Sequence, residues 1–260
     1  MSPLPKSPGA PLLGYVTDRR SLVAAEPPER HKILLQKIAS DVEAGVDWVQ
    51  LREKDLSEKQ CGALAREAVR LAASSLDQAA HQESFAHDKT PRAKNSVAAA
   101  ASSTREAAPA RHRTRILIND RLDVALAAHA GGVHLGDRSL PPQEARRLVN
   151  SLDREDFLVG VSCHSLEAAK AAERGGADYL LFGPVFATPS KAAYGAPQGL
   201  ERLAEVCRAV ALPVLAIGGI TLENAAACFS AGASGIAAIR LFQDASNLPA
   251  LIYALRKLRP

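Results

Sequence analysis

Eight times along this chain of 260 residues, a short unbroken apolar run gives way to a stretch with apolar residues at helical spacing. The runs fall at residues 12–17, 46–51, 115–118, 133–135, 158–162, 178–183, 213–217 and 235–239. Runs such as YLLF and VLAI do not alternate apolar with polar residues. They read as strands buried on both faces, the pattern of a parallel sheet covered by helices. An open sheet sets no particular number of strand–helix units, whereas a closed barrel takes eight. The expectation is an α/β chain folded as a single (β/α)8 TIM barrel over residues 12–260. A hydrophobic content of 47% is enough to fill it.

Two stretches stand apart from that rhythm. Residues 1–11 are Pro-rich and read as a disordered N-terminal arm. Residues 74–112 are rich in Ala and Ser, nearly free of large apolar side chains and without steady periodicity. Such a segment buries too little apolar surface to offset the entropy of ordering it. It reads as a flexible, low-complexity insertion, disordered or partly helical, in one helix-to-strand connection away from the strand C-termini.

A net charge of +4 fits anionic small-molecule partners and is too weak and scattered to argue for nucleic acid. No apolar run is long enough to span a bilayer. The first residues lack the apolar core of a signal peptide. Cys61, Cys163, Cys207 and Cys228 are widely spaced and form no CxxC pair, so free thiols in a reducing cytoplasm are expected. The sequence leaves a homo-oligomer open.

In a barrel the strand C-termini converge on one mouth, so residues far apart in sequence meet there. At the second strand end, Gln50, Arg52 and Lys54 alternate and should point to one side. Arg52 and Lys54 suit phosphate oxygens, the alternative for Lys54 being a place in solvent. Asn119 and Asp120 end the third strand. A carboxylate beside such cations suggests Mg²⁺ shared with a pyrophosphate; the alternative is an N-cap for the next helix. His134 lies inside an apolar strand and reads as a satisfied interior histidine. His164, beyond Ser162 and Cys163, is a candidate acid or base or a structural hydrogen-bonding group. Cys163 is either a nucleophile or, more in keeping with a small apolar thiol, packing. The stretch 178–191 breaks at Gly183-Pro184 and ends in Thr188, Ser190 and Lys191, hydroxyls and an ammonium suited to an anion. Gly218-Gly219 after the seventh strand and Ile239-Arg240 after the eighth occupy the usual phosphate positions of barrels.

Taken together, VQLREKD (49–55), INDR (118–121), GVHLG (132–136), GVSCHS (160–165), FGPVFATPSK (182–191) and AIGGI (216–220) resemble, in order and spacing, the thiamine phosphate synthase and thiazole tautomerase superfamily. The resemblance implies an enzyme of thiamine biosynthesis that couples hydroxymethylpyrimidine diphosphate to a thiazole phosphate with Mg²⁺ and releases pyrophosphate. The order of events would be dissociative: pyrophosphate leaves, and the thiazole nitrogen attacks the pyrimidine-methyl cation. Matched by motif, Gln50, Arg52, Lys54, Asn119 and Lys191 would hold the pyrimidine diphosphate, with Asp120 on the metal and Ser162 on the pyrimidine. Thr188 and Ser190 would meet the thiazole substrate, with Gly219 and Ile239 at its phosphate. Lys191, Ser162 and His164 are the candidate catalytic residues.

Three positions depart from the family pattern. The second carboxylate ligand expected after the fourth strand is Ser139, and Asp137 could replace it only from two places earlier. Ser190 stands for a threonine and keeps a hydroxyl, and Arg240 stands for a serine and would still serve an anion. These changes point toward the tautomerase branch, which relies on a histidine matching His164. The retained Gln50, Lys54 and Asp120 point to the synthase. A non-catalytic barrel that binds thiamine precursors is a further alternative.

Overall fold

The computed structural model describes residues 4, 6, 9–22, 27–87, 114–188 and 196–258; for 27–28 and 75–87 it describes the helical path only. Eight strands, β1 (Leu12–Val16), β2 (Trp48–Leu51), β3 (Arg115–Asn119), β4 (Gly132–Leu135), β5 (Leu158–Cys163), β6 (Tyr179–Phe182), β7 (Val214–Ile217) and β8 (Gly235–Ala238), pair in parallel and close in sequence order. Outside them lie α1 (Pro27–Ala44), α2 (Glu58–His87), α3 (Leu122–Ala127), α4 (Pro142–Ser151), α5 (Leu166–Arg174), α6 (Gly199–Ala209), α7 (Leu222–Ser230), α8 (Arg240–Gln243) and α9 (Leu248–Lys257). The expected barrel is present. No helix among the described residues is long and apolar enough to cross a membrane.

Polar caps place several helix starts. Ser165 accepts from Ala168 N, and Thr221 and Asn224 form a reciprocal capping box at α7. Ser57 and Gln60 do the same at α2, which continues beyond the expected end near Ala73 to His87. Residues 88–112, the rest of the anticipated insertion, lie outside the described residues, as does residue 113. Within the N-terminal arm, Leu4 packs against the barrel interior and Lys6 donates to Val210 O.

Alternation along each strand divides the core in two. One set, including Leu13, Tyr15, Val49, Ile116, Val159 and Leu180, packs under the helices. The other, including Leu12, Val16, Trp48, Leu117, Leu158, Tyr179, Leu181 and Leu215, fills the barrel. The Trp48 and Tyr179 rings lie 4.9 Å apart, and each has a glycine at its register position on the preceding strand, Gly14 and Gly160. A Cβ on Gly14 would lie 2.5 Å from Trp48 Nε1, and one on Gly160 would lie 2.1 Å from Tyr179 Cζ. Only glycine leaves room for the rings.

This pairing belongs to a repeat that relates β1–β2 to β5–β6. Asp47, just before β2, accepts from Leu13 N of β1 (2.6 Å); Asp178, just before β6, accepts from Val159 N of β5 (2.7 Å). Each aspartate pairs with an arginine, Arg256 of α9 or Arg146 of α4. Those arginines also donate to matching carbonyls, Pro11 and Gly45 in one half and Phe157 and Gly176 in the other. Gly45 and Gly176 both adopt positive φ, 87° and 81°. The N-terminal end of the barrel is thus clamped twice by the same device, half a turn apart.

α1 carries a buried carboxyl group on its apolar face. Asp41 is fully buried, and neither carboxylate oxygen has a hydrogen-bond partner. Burial pushes its pKa from 3.8 up to about 7, with Lys37 lowering it only in part. Folding therefore takes up a proton, and stability should fall as pH rises from about 4 to about 7. Asp41→Asn should flatten that part of the stability–pH profile, with a gain on the order of 2–4 kcal/mol by pH 8. Parallel profiles for the two proteins in chemical denaturation would refute the assignment. Separately, Gly160→Ala should cost on the order of 2–3 kcal/mol through overpacking against Tyr179, a fall in Tm of roughly 5–10 °C. Gly62→Ala, whose Cβ meets nothing closer than Arg66 Nη1 at 3.5 Å, should lower Tm by little or nothing.

Candidate active site

A line of hydrogen bonds crosses the C-terminal ends of β2, β3 and β4. Gln50 Nε2 donates to Asn119 Oδ1 (2.8 Å), and Asn119 Nδ2 donates to Asp120 Oδ2 (2.6 Å). The other Asp120 oxygen accepts from Ser139 Oγ and from Gly136 N (3.3 Å). Asp120 has φ 62°, and the N-cap of α3 is Arg121, so the carboxylate is turned to the mouth and does not cap the helix. Gln50 is 2% exposed, yet its Oε1 has no partner. A buried amide oxygen left unmatched in a polar line marks where a ligand donor would sit.

Beside it, on the inner face, His134 joins Tyr179 OH through Nδ1 (3.0 Å) and Ser162 Oγ through Nε2 (2.8 Å). Burial lowers the His134 pKa to about 3, the nearby Arg52 charge adding to the effect and Asp120 opposing it, so the ring is neutral. It is the interior histidine anticipated, with both nitrogens satisfied. His164 lies on the rim, where Nδ1 contacts Gly183 O and Nε2 lies 3.8 Å from the exposed Asp137 carboxylate. Ser139 and Asp137 therefore separate: Ser139 reaches Asp120, and Asp137 faces His164. Cys163 points outward into the core between strands and helices, and burial pushes its thiol up to about 12, so the nucleophile reading fails.

Arg52 follows Gln50 on the inward side, half-buried, and forms no ion pair among the described residues. Strand alternation stops at Leu51, so Lys54 lies exposed in the turn beyond. Between them Glu53 turns outward and is buried. Its carboxylate accepts from Thr17 Oγ1 and from Arg19 N (2.9 Å), and Thr17 Oγ1 accepts from Arg52 N (3.0 Å). Burial raises the Glu53 pKa, partly offset by those two hydrogen bonds. Arg19 also pairs with Asp55 (3.0 Å). The loop carrying both cations is thereby tied to the end of β1. Sequence reasoning passed over Thr17 and Glu53; the available signal was a glutamate set between Arg52 and Lys54.

The glycine pair after β7 has φ 94° and 67°. A Cβ on Gly218 would meet Pro184 Cα at 2.6 Å, and one on Gly219 would meet Ala187 O at 2.6 Å. Val185 N donates to Ile217 O (2.9 Å) and Phe186 N to Gly218 O (3.0 Å), so the loop after β6 lies directly on the pair. Ile239 caps the short α8 and packs against the interior set, with Arg240 exposed beside it. Thr188 is half-buried at the end of the described loop. Ser190 and Lys191 lie outside the described residues.

The oxygen groups at this point are the Asp120 carboxylate and the Ser139 hydroxyl, both hard ligands, while the Asn119 amide turns its NH₂ to the carboxylate. Among the described residues no cluster of three or more His, Cys, Asp or Glu could hold a metal unaided. The set fits Mg²⁺ held jointly with substrate phosphates and does not fit an all-protein cage.

The family model described as thiamine monophosphate synthase matches residues 84–242. A thiamine-phosphate synthase of Roseiflexus sp. (strain RS-1) is 34% identical over 253 residues, covering 97% of this chain and 87% of that one. Another, of Anaeromyxobacter dehalogenans (strain 2CP-C), is 50% identical over 135 residues, 52% of this chain and 59% of its own length. Among solved structures, the thiamine phosphate pyrophosphorylase from Pyrococcus furiosus matches with TM-score 0.68 at 27% identity, covering 95% of this chain and 94% of that one. A 3-hexulose-6-phosphate synthase, with TM-score 0.59 at 15% identity over 96% of this chain and 100% of that one, shares the fold alone. The family match spans more than half of the sequence and the Roseiflexus relative nearly all of it: the chain belongs to the thiamine monophosphate synthase family.

Proposed function

We propose that this chain couples 4-amino-5-hydroxymethyl-2-methylpyrimidine diphosphate to a thiazole phosphate or its carboxylate, forming thiamine phosphate and pyrophosphate. The observation that carries the reading is the line from Gln50 to Asp120 and Ser139. It presents an unmatched buried acceptor at one end and a carboxylate suited to a shared cation at the other. Gln50 Oε1 would accept from the exocyclic amine, and Ser162 would face the pyrimidine ring. The Arg52 guanidinium would hold the diphosphate bidentately, with Lys54, Asn119 and, by motif, Lys191. Thr188, Ser190, Gly219, Ile239 and Arg240 would take the thiazole phosphate.

Asp120, with Ser139 beside it, would hold Mg²⁺. Bound there, the metal supplies stabilisation of the negative charge that builds on the departing pyrophosphate. Arg52 acts on the same charge, and its backbone N–H bond to Thr17 holds it ready before the substrate arrives. Beneath the site, Trp48 and Tyr179 close the barrel and exclude water from a cation formed at the pyrimidine methylene. Four free cysteines suit action in the cytoplasm.

A second reading rests on His164. A Nδ1–H bond to Gly183 O leaves Nε2 as a base at the rim, as isomerisation of a thiazole carboxylate phosphate requires. Coupling assayed with and without Mg²⁺ separates the two. The synthase should form thiamine phosphate only with the metal, and Asp120→Ala should lose at least about a hundredfold in kcat/KM. The same variant should lose Mg²⁺-dependent binding of the pyrimidine diphosphate in calorimetry. Thiazole isomerisation that needs His164 and ignores both Mg²⁺ and Asp120, with no coupling, would replace the synthase by the tautomerase.

A further inference from the structure

Two hydrogen-bond chains, one starting at the buried Tyr179 and one ending at the buried Gln50, meet the mouth of the barrel, and donor and acceptor counting fixes the direction of each. Tyr179 is fully buried, and His134 Nδ1 is the one hydrogen-bond partner of its hydroxyl among the described residues. If Nδ1 carried the proton, the phenolic O–H would be buried with no acceptor, a cost on the order of 1–3 kcal/mol. Tyr179 therefore donates to Nδ1. Burial keeps the imidazole neutral, so its single proton is on Nε2 and is donated to Ser162 Oγ, 2.8 Å away. The Ser162 proton then has no acceptor in His134 and must turn elsewhere. Ser162 lies on the inward side of the end of β5, half-buried, with His134 as its one partner among the described residues.

The second chain runs with the opposite polarity. The Asp120 carboxylate only accepts, so Asn119 must present its NH₂ to it and its Oδ1 to Gln50. Gln50 answers with its own NH₂, and Oε1 is left as an unmatched acceptor. The mouth thus offers a donor at Ser162 and an acceptor at Gln50.

We propose that His134, oriented by Tyr179, is a positioning residue that makes the Ser162 hydroxyl a donor to the substrate heterocycle, so that this subsite takes an unprotonated ring nitrogen and rejects a ring N–H. The inference rests on the pyrimidine-diphosphate reading given above. An aminopyrimidine carries a ring acceptor and an amine donor, matching Ser162 and Gln50. Its 4-oxo analogue carries a ring N–H and a carbonyl, the reverse of both.

Tyr179→Phe keeps the ring that stacks on Trp48 and removes only the hydroxyl that selects the tautomer. In the wild-type protein, kcat/KM should favour the aminopyrimidine diphosphate over its 4-oxo analogue by at least about a hundredfold, the range seen where a site hydrogen-bonds its substrate. Tyr179→Phe should narrow that preference about tenfold while leaving the KM for thiazole phosphate and the Tm within a few degrees of wild type. Unchanged preference in Tyr179→Phe overturns the proposal. Long-range ¹H–¹⁵N NMR, with His134 assigned by subtraction of His134→Gln, reads the tautomer without any turnover. An Nε2–H ring supports the relay, and an Nδ1–H ring sinks it. A wild-type protein that couples nothing would defeat the functional reading alone, because the tautomer would still decide the relay.

Discussion

The stack of Trp48 on Tyr179 is the constraint from which the inside of this barrel follows. Two rings of that size meet within the barrel only if the neighbouring strands give up their side chains, and Gly14 and Gly160 do so at the register positions beside them. Filling the lower barrel with rings closes it to water and leaves the upper layer to polar groups from β2 to β5. His134 tolerates burial there because both its nitrogens are matched, by Tyr179 and Ser162, whereas Gln50 matches its NH₂ with Asn119 and keeps Oε1 open toward the mouth. Tyr179 belongs to both layers. Its ring packs below, and its hydroxyl sets the direction of the first polar chain above.

The repeat between β1–β2 and β5–β6 explains how that arrangement is kept in register. Each half has a strand-leading aspartate bound to the previous strand's backbone, an arginine tying it to the adjoining carbonyls, and a glycine–aromatic pair one step inward. A one-residue slip of either strand would turn a ring out of the barrel and an aspartate away from its arginine at once. Stability is concentrated at the N-terminal end, and the C-terminal end is free to carry function, the division of labour common to such barrels. The mouth itself is not left loose: Thr17, Glu53 and Arg19 tie the loop bearing Arg52 to β1, and the loop after β6 lies on Gly218-Gly219.

The family assignment and the geometry meet at Asp120. On the proposed function, a single carboxylate with Ser139 where a second acid is expected would hold a cation whose remaining ligands come from the substrate, and metal binding would be coupled to arrival of a diphosphate. The carboxylate also directs Asn119 and, through it, Gln50, so the group proposed to serve the leaving pyrophosphate orients the amide proposed to face the amine.

By itself the sequence determined the eightfold alternation, the strand positions within a residue or two, and the loops on which chemistry collects. These are legible because the periodicity of burial is a local property of the chain. It also placed Gln50, Arg52, Asn119 and Asp120 at strand ends and His134 inside a strand. Tertiary structure decided what required two elements at once. Asp120 could have capped α3 on local grounds, and only the approach of β4 brought Ser139 and Gly136 to its carboxylate. Asp137 stood two places before Ser139 as a possible substitute for it, and the fold parted them, Asp137 toward His164 and Ser139 onto Asp120. Glu53 read as one more charge in a polar motif, and its burial against Thr17 depends on the register of β1 with β2. The proton direction at Ser162 is the furthest from sequence, since it depends on three strands placing Tyr179, His134 and Ser162 within hydrogen-bond reach of one another. Side-chain polarity there is set by who is adjacent in space, and closure of the barrel alone determines that.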